Sequence, residues 1–197
     1  MAKTIEDVER LLTARGFPCT RVPERGVLTQ FPTVAYVNLA GKKAIDVEIA
    51  IDEANACLTM DTPWAFDSRQ AAHTEAMLAC LLAASGQSPL VKTQLDPKHG
   101  EVRLRVDCPL GAEGVGGEDM LMLLSLLPAF ADRWYPHIKS AMEKGDFDLS
   151  GARRSDNDDR LGALAKRAGG INRLEVLLRL NRRRPPSGPP STDPSAN

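Results

Sequence analysis

The sequence predicts an α+β fold with the element order helix, three-stranded antiparallel meander, helix, β-hairpin, helix. Two observations predict it: apolar residues follow helical spacing and period-two spacing in alternating blocks along the chain, and a turn-like segment separates two short apolar runs near the middle. We assign residues 1–150 to one folded domain, 151–184 to a basic and partly helical extension, and 185–197 to a disordered tail rich in proline and serine.

The first helix is predicted from Thr4 to Arg15. Thr4 is a good N-terminal cap, and Gly16 is a good stop. The apolar residues between them fall on one helical face, which predicts a helix with one side on a core. They are Ile5, Val8, Leu11 and Leu12.

The segment from Cys19 to Asp61 changes to period-two spacing, which predicts the antiparallel meander. We place its strands at 34–39, 45–51 and 57–60. In the second strand, isoleucine and valine alternate with mostly acidic residues, so one face should lie on a core and the other in water.

The second helix is predicted to begin with Asp67 or Ser68 as its cap and to end near Ser85. Residues 76–84 are apolar or small without interruption, and such a helix is covered on more than one side. In a protein of this size, a second copy of the chain can supply the additional cover. The sequence therefore predicts a homodimer whose interface contains Met77, Leu78, Leu81 and Leu82.

The hairpin is predicted from strands at 90–95 and 102–106, joined by a loop that contains Pro97 and Gly100. A third helix should start near Glu118 and end at Gly145. Two prolines inside it predict that it is kinked or divided into shorter helices. They are Pro128 and Pro136.

The net charge of −1 hides an asymmetry between the two ends of the chain. Residues 1–150 contain 21 acidic and 15 basic residues, whereas residues 151–184 contain 4 acidic and 10 basic residues. An acidic domain with a basic extension suggests a role in binding a partner. The basic residues of the extension are Arg153, Arg154, Arg160, Lys166, Arg167, Arg173, Arg179, Arg182, Arg183 and Arg184.

Catalytic and cofactor chemistry is not indicated by the sequence. The four cysteines are widely spaced, and the three histidines do not have metal-ligand spacing, so we expect neither a metal nor another cofactor. The glycine-rich loop at 111–117 lacks the lysine and hydroxyl ending of a P-loop, and a connector is the better interpretation. We therefore expect the protein not to be an enzyme.

A family resemblance is carried by the second helix with Leu81-Leu82, the hairpin with Asp96-Pro97, the strand Gly100 to Val106, and the later Glu118 to Leu121 and Trp134-Tyr135-Pro136 segments. Together they resemble the YbjN-like family of bacterial proteins, which shares the fold of type III secretion chaperones. The resemblance spans about three quarters of the chain.

This resemblance implies a non-enzymatic, chaperone-like or regulatory module that holds an extended or amphipathic segment of a partner protein. Such a role predicts an exposed apolar groove beside the first helix, around Leu11, Leu12 and Phe17. The alternative is a nucleic-acid-associated regulator that acts through the basic extension, although no aromatic residue stands there to stack on bases. With neither a secretory signal nor a membrane-spanning run in the sequence, we expect a cytoplasmic protein.

Overall fold

The computed structural model describes residues 2–54, 56–88 and 90–148. Within these ranges the chain forms helices and strands in an α+β arrangement, as predicted. The helices are α1 (Ile5–Ala14), α2 (Thr74–Gly86) and α3 (Gly117–Lys144), and a 3-10 turn covers Ser68–Gln70. The strands are β1 (Cys19–Val22), β2 (Gly26–Pro32), β3 (Ala44–Asp52), β4 (Cys57–Asp67), β5 (Lys92–Asp96) and β6 (Glu101–Pro109).

The strands form one antiparallel sheet in the order β1-β2-β3-β4-β6-β5. One face of the sheet carries the apolar residues of β3 predicted from the alternation, and Val47 and Ile49 are fully buried there. Helix α1 packs against β1 and β2, α3 against β3 and β6, and α2 against α3 and β5. No helix among the described residues is both long enough and apolar enough to cross a bilayer.

The start of the sheet differs from the prediction. Residues 34–39 were predicted to form the first strand of the meander, but they lie in the loop between β2 and β3. The sheet instead begins with the β1–β2 hairpin, where Gly26 has a φ of 120°. A Cβ at Gly26 would lie 2.1 Å from the carbonyl oxygen of Ile49, so a side chain there would collide with β3.

The loop between β2 and β3 is held by Asp132 of α3. Its carboxylate accepts the backbone N–H groups of Val34, Ala35 and Tyr36 at 2.7–2.9 Å. These N–H groups would be available for a sheet ladder if the predicted strand existed. Because a buried carboxylate accepts them instead, the segment stays outside the sheet although its sequence alternates.

Helix α2 begins later than predicted. Asp67 does act as a cap, but it accepts the N–H of Arg69 at the 3-10 turn, and α2 starts only at Thr74. The predicted start at Asp67 or Ser68 is therefore wrong for α2. The sequence indicates the cap at Asp67 but not that a 3-10 turn, rather than α2, follows it.

The ends of the other helices were predicted well. Thr4 and Asp7 form a reciprocal capping box at α1, and Gly145 ends α3 with a left-handed φ of 74°. Helix α3 is nevertheless one 28-residue helix rather than two shorter pieces. Each of Pro128 and Pro136 removes one intrahelical hydrogen bond, and the buried residues on both sides of them favour a continuous helix through packing.

Residues 149–197 lie outside the described residues. The predicted extension at 151–184, with all ten of its basic residues, and the predicted tail at 185–197 therefore remain predictions from the sequence.

We predict that Asp132→Ala destabilises the domain by about 3 kcal/mol, because it removes a charged acceptor and leaves buried N–H groups without a partner. Asp132→Asn should cost less, since its amide oxygen can still accept from Ala35 and Tyr36. Urea denaturation at equilibrium measures both changes. Glu113→Gln, on an exposed loop, is the control. Equal stability of Asp132→Ala and the parent protein would contradict this role.

Candidate functional site at the free edge of the sheet

Strand β5 lies at one edge of the sheet, and within the described residues it is bonded on one side only, by β6. The direction of its backbone groups follows from Leu104 of β6, whose N–H and C=O both contact the hydroxyl of Thr62 on β4. Alternate residues of an antiparallel strand face opposite neighbours. The residues of β6 that bond β5 are therefore the odd-numbered ones, which pair with Lys92, Gln94 and Asp96.

It follows that the N–H and C=O groups of Thr93 and Leu95 point away from β6, toward the free edge. These backbone groups can receive another extended chain by adding a strand to the sheet. The side chains of Thr93 and Leu95 lie on the face of the sheet that carries the helices, because they pair with Leu104 and Val102.

The outer flank of α2 runs alongside this edge. The hydroxyl of Ser85 is 3.0 Å from the hydroxyl of Thr93, which ties the end of α2 to β5. Leu78 and Leu82 precede Ser85 by two turns and one turn, so they lie on the same flank. The chain reverses between α2 and β5, so the two elements run in opposite directions away from this contact.

This edge concentrates exposed apolar surface. Leu82 is 74% exposed, Leu90 is 49% exposed and Leu95 is 39% exposed. They make up half of the large apolar side chains that are exposed in the described part of the chain. We call the free backbone edge of Thr93 and Leu95, together with the side chains of Leu78, Leu82 and Leu95, the β5 groove.

The charged side chains of β5 are satisfied within the domain. Lys92 contacts Asp107 at 2.9 Å, and Asp96 contacts His99 at 2.7 Å. The hydrogen bond from His99 is the main reason why the pKa of Asp96 lies below its ordinary value. Because these charges already have partners, a chain that docks at the edge need not neutralise them.

A second concave surface lies between the loop before β3, the end of β4 and the end of α3. It has a volume of about 310 Å³ and a floor formed by Phe66 and Tyr135. Tyr36 packs edge-on against both rings and donates its hydroxyl to the carbonyl oxygen of Ala65 at 2.8 Å. Burial raises the pKa of Tyr36. Polar residues form much of the rim of this cleft, among them Asn38, Asp67, Gln70, Lys139 and Glu143.

The sheet face opposite the helices carries a row of charged side chains. Glu48, Asp61 and Arg105 are cross-strand neighbours on it, and Arg105 lies 3.5 Å from the carboxylate of Asp61. Burial raises the pKa of Asp61, and the positive charge of Arg105 opposes that effect only in part. The Oδ1 atom of Asp61 is buried and has no hydrogen-bond partner among the described residues.

The groove predicted beside the first helix is not exposed where it was expected. Leu12 is 0% exposed and belongs to the core beneath α1. Leu11 and Phe17 are partly buried against the same core, and the ring of Phe17 lies 5.1 Å from that of Phe31. The sequence could not separate these positions, because an apolar stripe on a short helix indicates the core and an exposed groove equally well.

The four residues predicted at a dimer interface are divided by the structure. Met77 and Leu81 are buried in the core of their own chain, so they are not available to a second copy. Leu78 is partly buried, and Leu82 is exposed in the β5 groove. The sequence predicts that α2 is covered on more than one side, and α3 of the same chain supplies much of that cover.

Two of the four cysteines, Cys80 and Cys108, have thiols that burial affects. Burial raises the pKa of Cys80 to about 11, and it also raises the pKa of Cys108, so neither thiol is activated. Among residues 2–54, 56–88 and 90–148, no three histidine, cysteine, aspartate or glutamate side chains come together as a metal site.

We predict opposite outcomes for two leucine-to-aspartate substitutions. Leu12→Asp should destabilise the domain by several kcal/mol, because it places a charge in the core. Leu82→Asp should change stability by about 0.5 kcal/mol or less, since the side chain is exposed. Thermal unfolding followed by circular dichroism measures both, and a folded Leu12→Asp protein would contradict the buried position of Leu12.

We also predict that Asp61→Asn stabilises the domain at neutral pH. Because the pKa of Asp61 is raised on folding, the folded state binds its proton more tightly than the unfolded state does, and stability falls as pH rises above 3.8. Asparagine removes this penalty, while Arg105 keeps its contact with Asp107 at 2.6 Å. Melting temperatures measured from about pH 4.5 to pH 7 should show a gain that shrinks toward acid. A lower melting temperature at neutral pH would contradict it.

Comparisons with known proteins are sparse for this chain. No family model matches it, and no curated protein matches it. Among solved structures, it is similar to YbjN from E. coli, a proposed transcription regulator, with 13% sequence identity and a TM-score of 0.47. The likeness covers 69% of this chain and 89% of that chain. It is distant, and the function proposed below rests on the geometry of the β5 groove.

Proposed function

We propose that this protein is a non-catalytic, chaperone-like or regulatory binding module that holds an extended segment of a partner protein in the β5 groove. The observation that supports the proposal is a free strand edge flanked by exposed leucines. The two features together suit an extended chain better than either would alone.

The backbone edge would supply affinity that does not depend on the sequence of the partner. An added strand can donate to and accept from the free groups of Thr93 and Leu95, and each such hydrogen bond contributes about 0.5–1.5 kcal/mol. This geometry requires a partner segment with an extended backbone and unblocked N–H groups.

The leucines beside the edge would supply selectivity. Side chains alternate across a strand, so every second residue of the docked segment would face the flank of α2. An apolar side chain of the docked segment that contacted both Leu82 and Leu95 would remove all three from water. The preferred segment therefore has apolar residues at alternate positions.

The charge of the domain favours basic segments. Residues 1–150 contain six more acidic than basic residues, and a negative surface speeds the approach of positively charged partners. The alternating polar positions of the partner, which face away from α2, are expected to be rich in lysine and arginine.

A second copy of this chain is the main competitor for the same groove. Pairing of two β5 edges would cover Leu82 and Leu95 and would produce the homodimer expected from the sequence. Sedimentation at several protein concentrations separates the two occupants, because a dimer that closes the edge must dissociate before a partner binds.

We predict that Thr93→Pro weakens binding of an extended peptide by up to about tenfold, because proline removes one outward N–H group. The probes are peptides selected from a random twelve-residue library displayed on phage, and their affinities are measured by fluorescence anisotropy. Thr93→Val is the matched control, since it keeps the N–H group and the branched side chain.

Leu82→Asp tests the apolar half of the groove in the same assay, with Leu39→Asp as its control. Leu39 is 49% exposed but lines the cleft near α3, away from β5. Binding lost with Leu82→Asp and kept with Leu39→Asp supports the groove. If neither Thr93→Pro nor Leu82→Asp changes the affinity for the peptides, the proposed groove is wrong.

A further inference from the structure

Trp64 occupies an unusual position at a break in the pairing of β4 with β6. The register of the two strands shifts between Thr62 and Phe66, and Trp64 lies in this bulge with a φ of 52°. A left-handed backbone is costly for a bulky residue, by about 1–3 kcal/mol. Bulges of this kind redirect a side chain away from the regular alternation of the strand.

The strained conformation is held in place by neighbouring side chains. The N–H of Trp64 donates to Oε1 of the buried Glu101 at 2.9 Å, and Glu101 also contacts Arg103. The guanidinium of Arg69 lies 5.5 Å from the centre of the indole ring, and Asp67 orients it through two hydrogen bonds of 2.9 Å. Glu101 thus holds the backbone of Trp64, and Arg69 lies over its ring.

The result is a rigid tryptophan at the surface. Trp64 is 37% exposed, whereas Trp134, the second tryptophan of the chain, is 0% exposed and lies in the core. Rigid exposed tryptophans next to arginine are typical centres of binding surfaces, because they offer a large apolar area at little entropic cost. We call the surface of Trp64 and Arg69 the Trp64 patch.

The described chain ends close to this patch. His73 donates its backbone N–H to the carbonyl oxygen of Met142 near the end of α3, and Thr74 donates its hydroxyl to Ser68. The end of α3 is therefore tied to the turn that carries Arg69. The remaining 49 residues, 149–197, follow soon after α3, and a linker of this length can reach any part of the domain.

We propose that the proline-rich tail of the same chain, centred on Pro185-Pro186 and Pro189-Pro190, docks on the Trp64 patch. Prolines stack on exposed aromatic rings in proline-rich recognition, where the stiff backbone loses little entropy on binding. A polyproline II backbone repeats every three residues, so the docked tail would present Arg183, Pro186 and Pro189 on one side.

Charge favours docking within one molecule. The tail follows three consecutive arginines, Arg182 to Arg184, and the domain has an excess of acidic residues. The attraction raises the concentration of the tail near the domain, and the covalent linkage raises it further. The Trp64 patch belongs to β4 and the 3-10 turn, so this contact is separate from the partner site proposed in the β5 groove.

Quenching of tryptophan fluorescence by acrylamide tests the proposal in the full chain, because Trp64 is exposed and Trp134 is not. Replacing the four prolines 185, 186, 189 and 190 by alanine should raise the quenching constant about twofold, as the tail no longer shields the ring. Ser187→Ala with Ser191→Ala, in the same segment, is the control and should leave the constant unchanged. Trp64→Phe should abolish the emission that acrylamide quenches, which assigns that emission to Trp64.

A peptide of residues 182–194, added to the four-alanine variant, should restore the low quenching constant, whereas its four-alanine counterpart should not. Equal quenching of the four-alanine variant and the parent protein would overturn the proposal. Shielding that disappears when the parent protein is diluted would also overturn it, because the occupant would then be a second copy. The substitutions lie outside the described residues, and an unchanged melting temperature checks that the domain is intact.

Discussion

The carboxylate of Asp132 is the constraint on which the arrangement around the helices and the sheet depends. It accepts three consecutive backbone N–H groups from the loop between β2 and β3, and so joins that loop to the middle of α3. Tyr36 then reaches through the core to Ala65 near the end of β4. A single acidic residue therefore sets where the long helix lies against the sheet and shapes the cleft lined by Phe66 and Tyr135.

The described helices all lie on one face of the sheet, and this arrangement leaves surfaces of the sheet available for binding. Such a sheet buries its apolar side chains without closing its edges, and β5 remains open beside the leucines of α2. Elsewhere in the same sheet, the bulge in β4 presents Trp64 under backbone strain. The proposed partner groove therefore uses a free strand edge, and the proposed tail contact uses a bulge in β4.

Much of the fold could be predicted because local patterns and tertiary packing agree. The alternation in β3, the cap at Thr4 and the stop at Gly145 each depend on neighbours only a few residues away. The strand predicted at 34–39 was wrong because Asp132, nearly a hundred residues later, accepts its N–H groups. The two prolines do not divide α3, since packing along the helix outweighs two missing intrahelical hydrogen bonds.

The sequence by itself determined the α+β class, the limits of α1 and α3, the central hairpin and the charge contrast between domain and extension, because spacing and composition carry them directly. Only the tertiary structure decided which apolar residues are exposed. Leu12 and Leu82 are the same residue type, and both lie on helices, yet one is 0% and the other 74% exposed. The exposure of a side chain depends on what packs against its face of the helix. The arrangement of strands and helices in space determines this packing, and local periodicity does not.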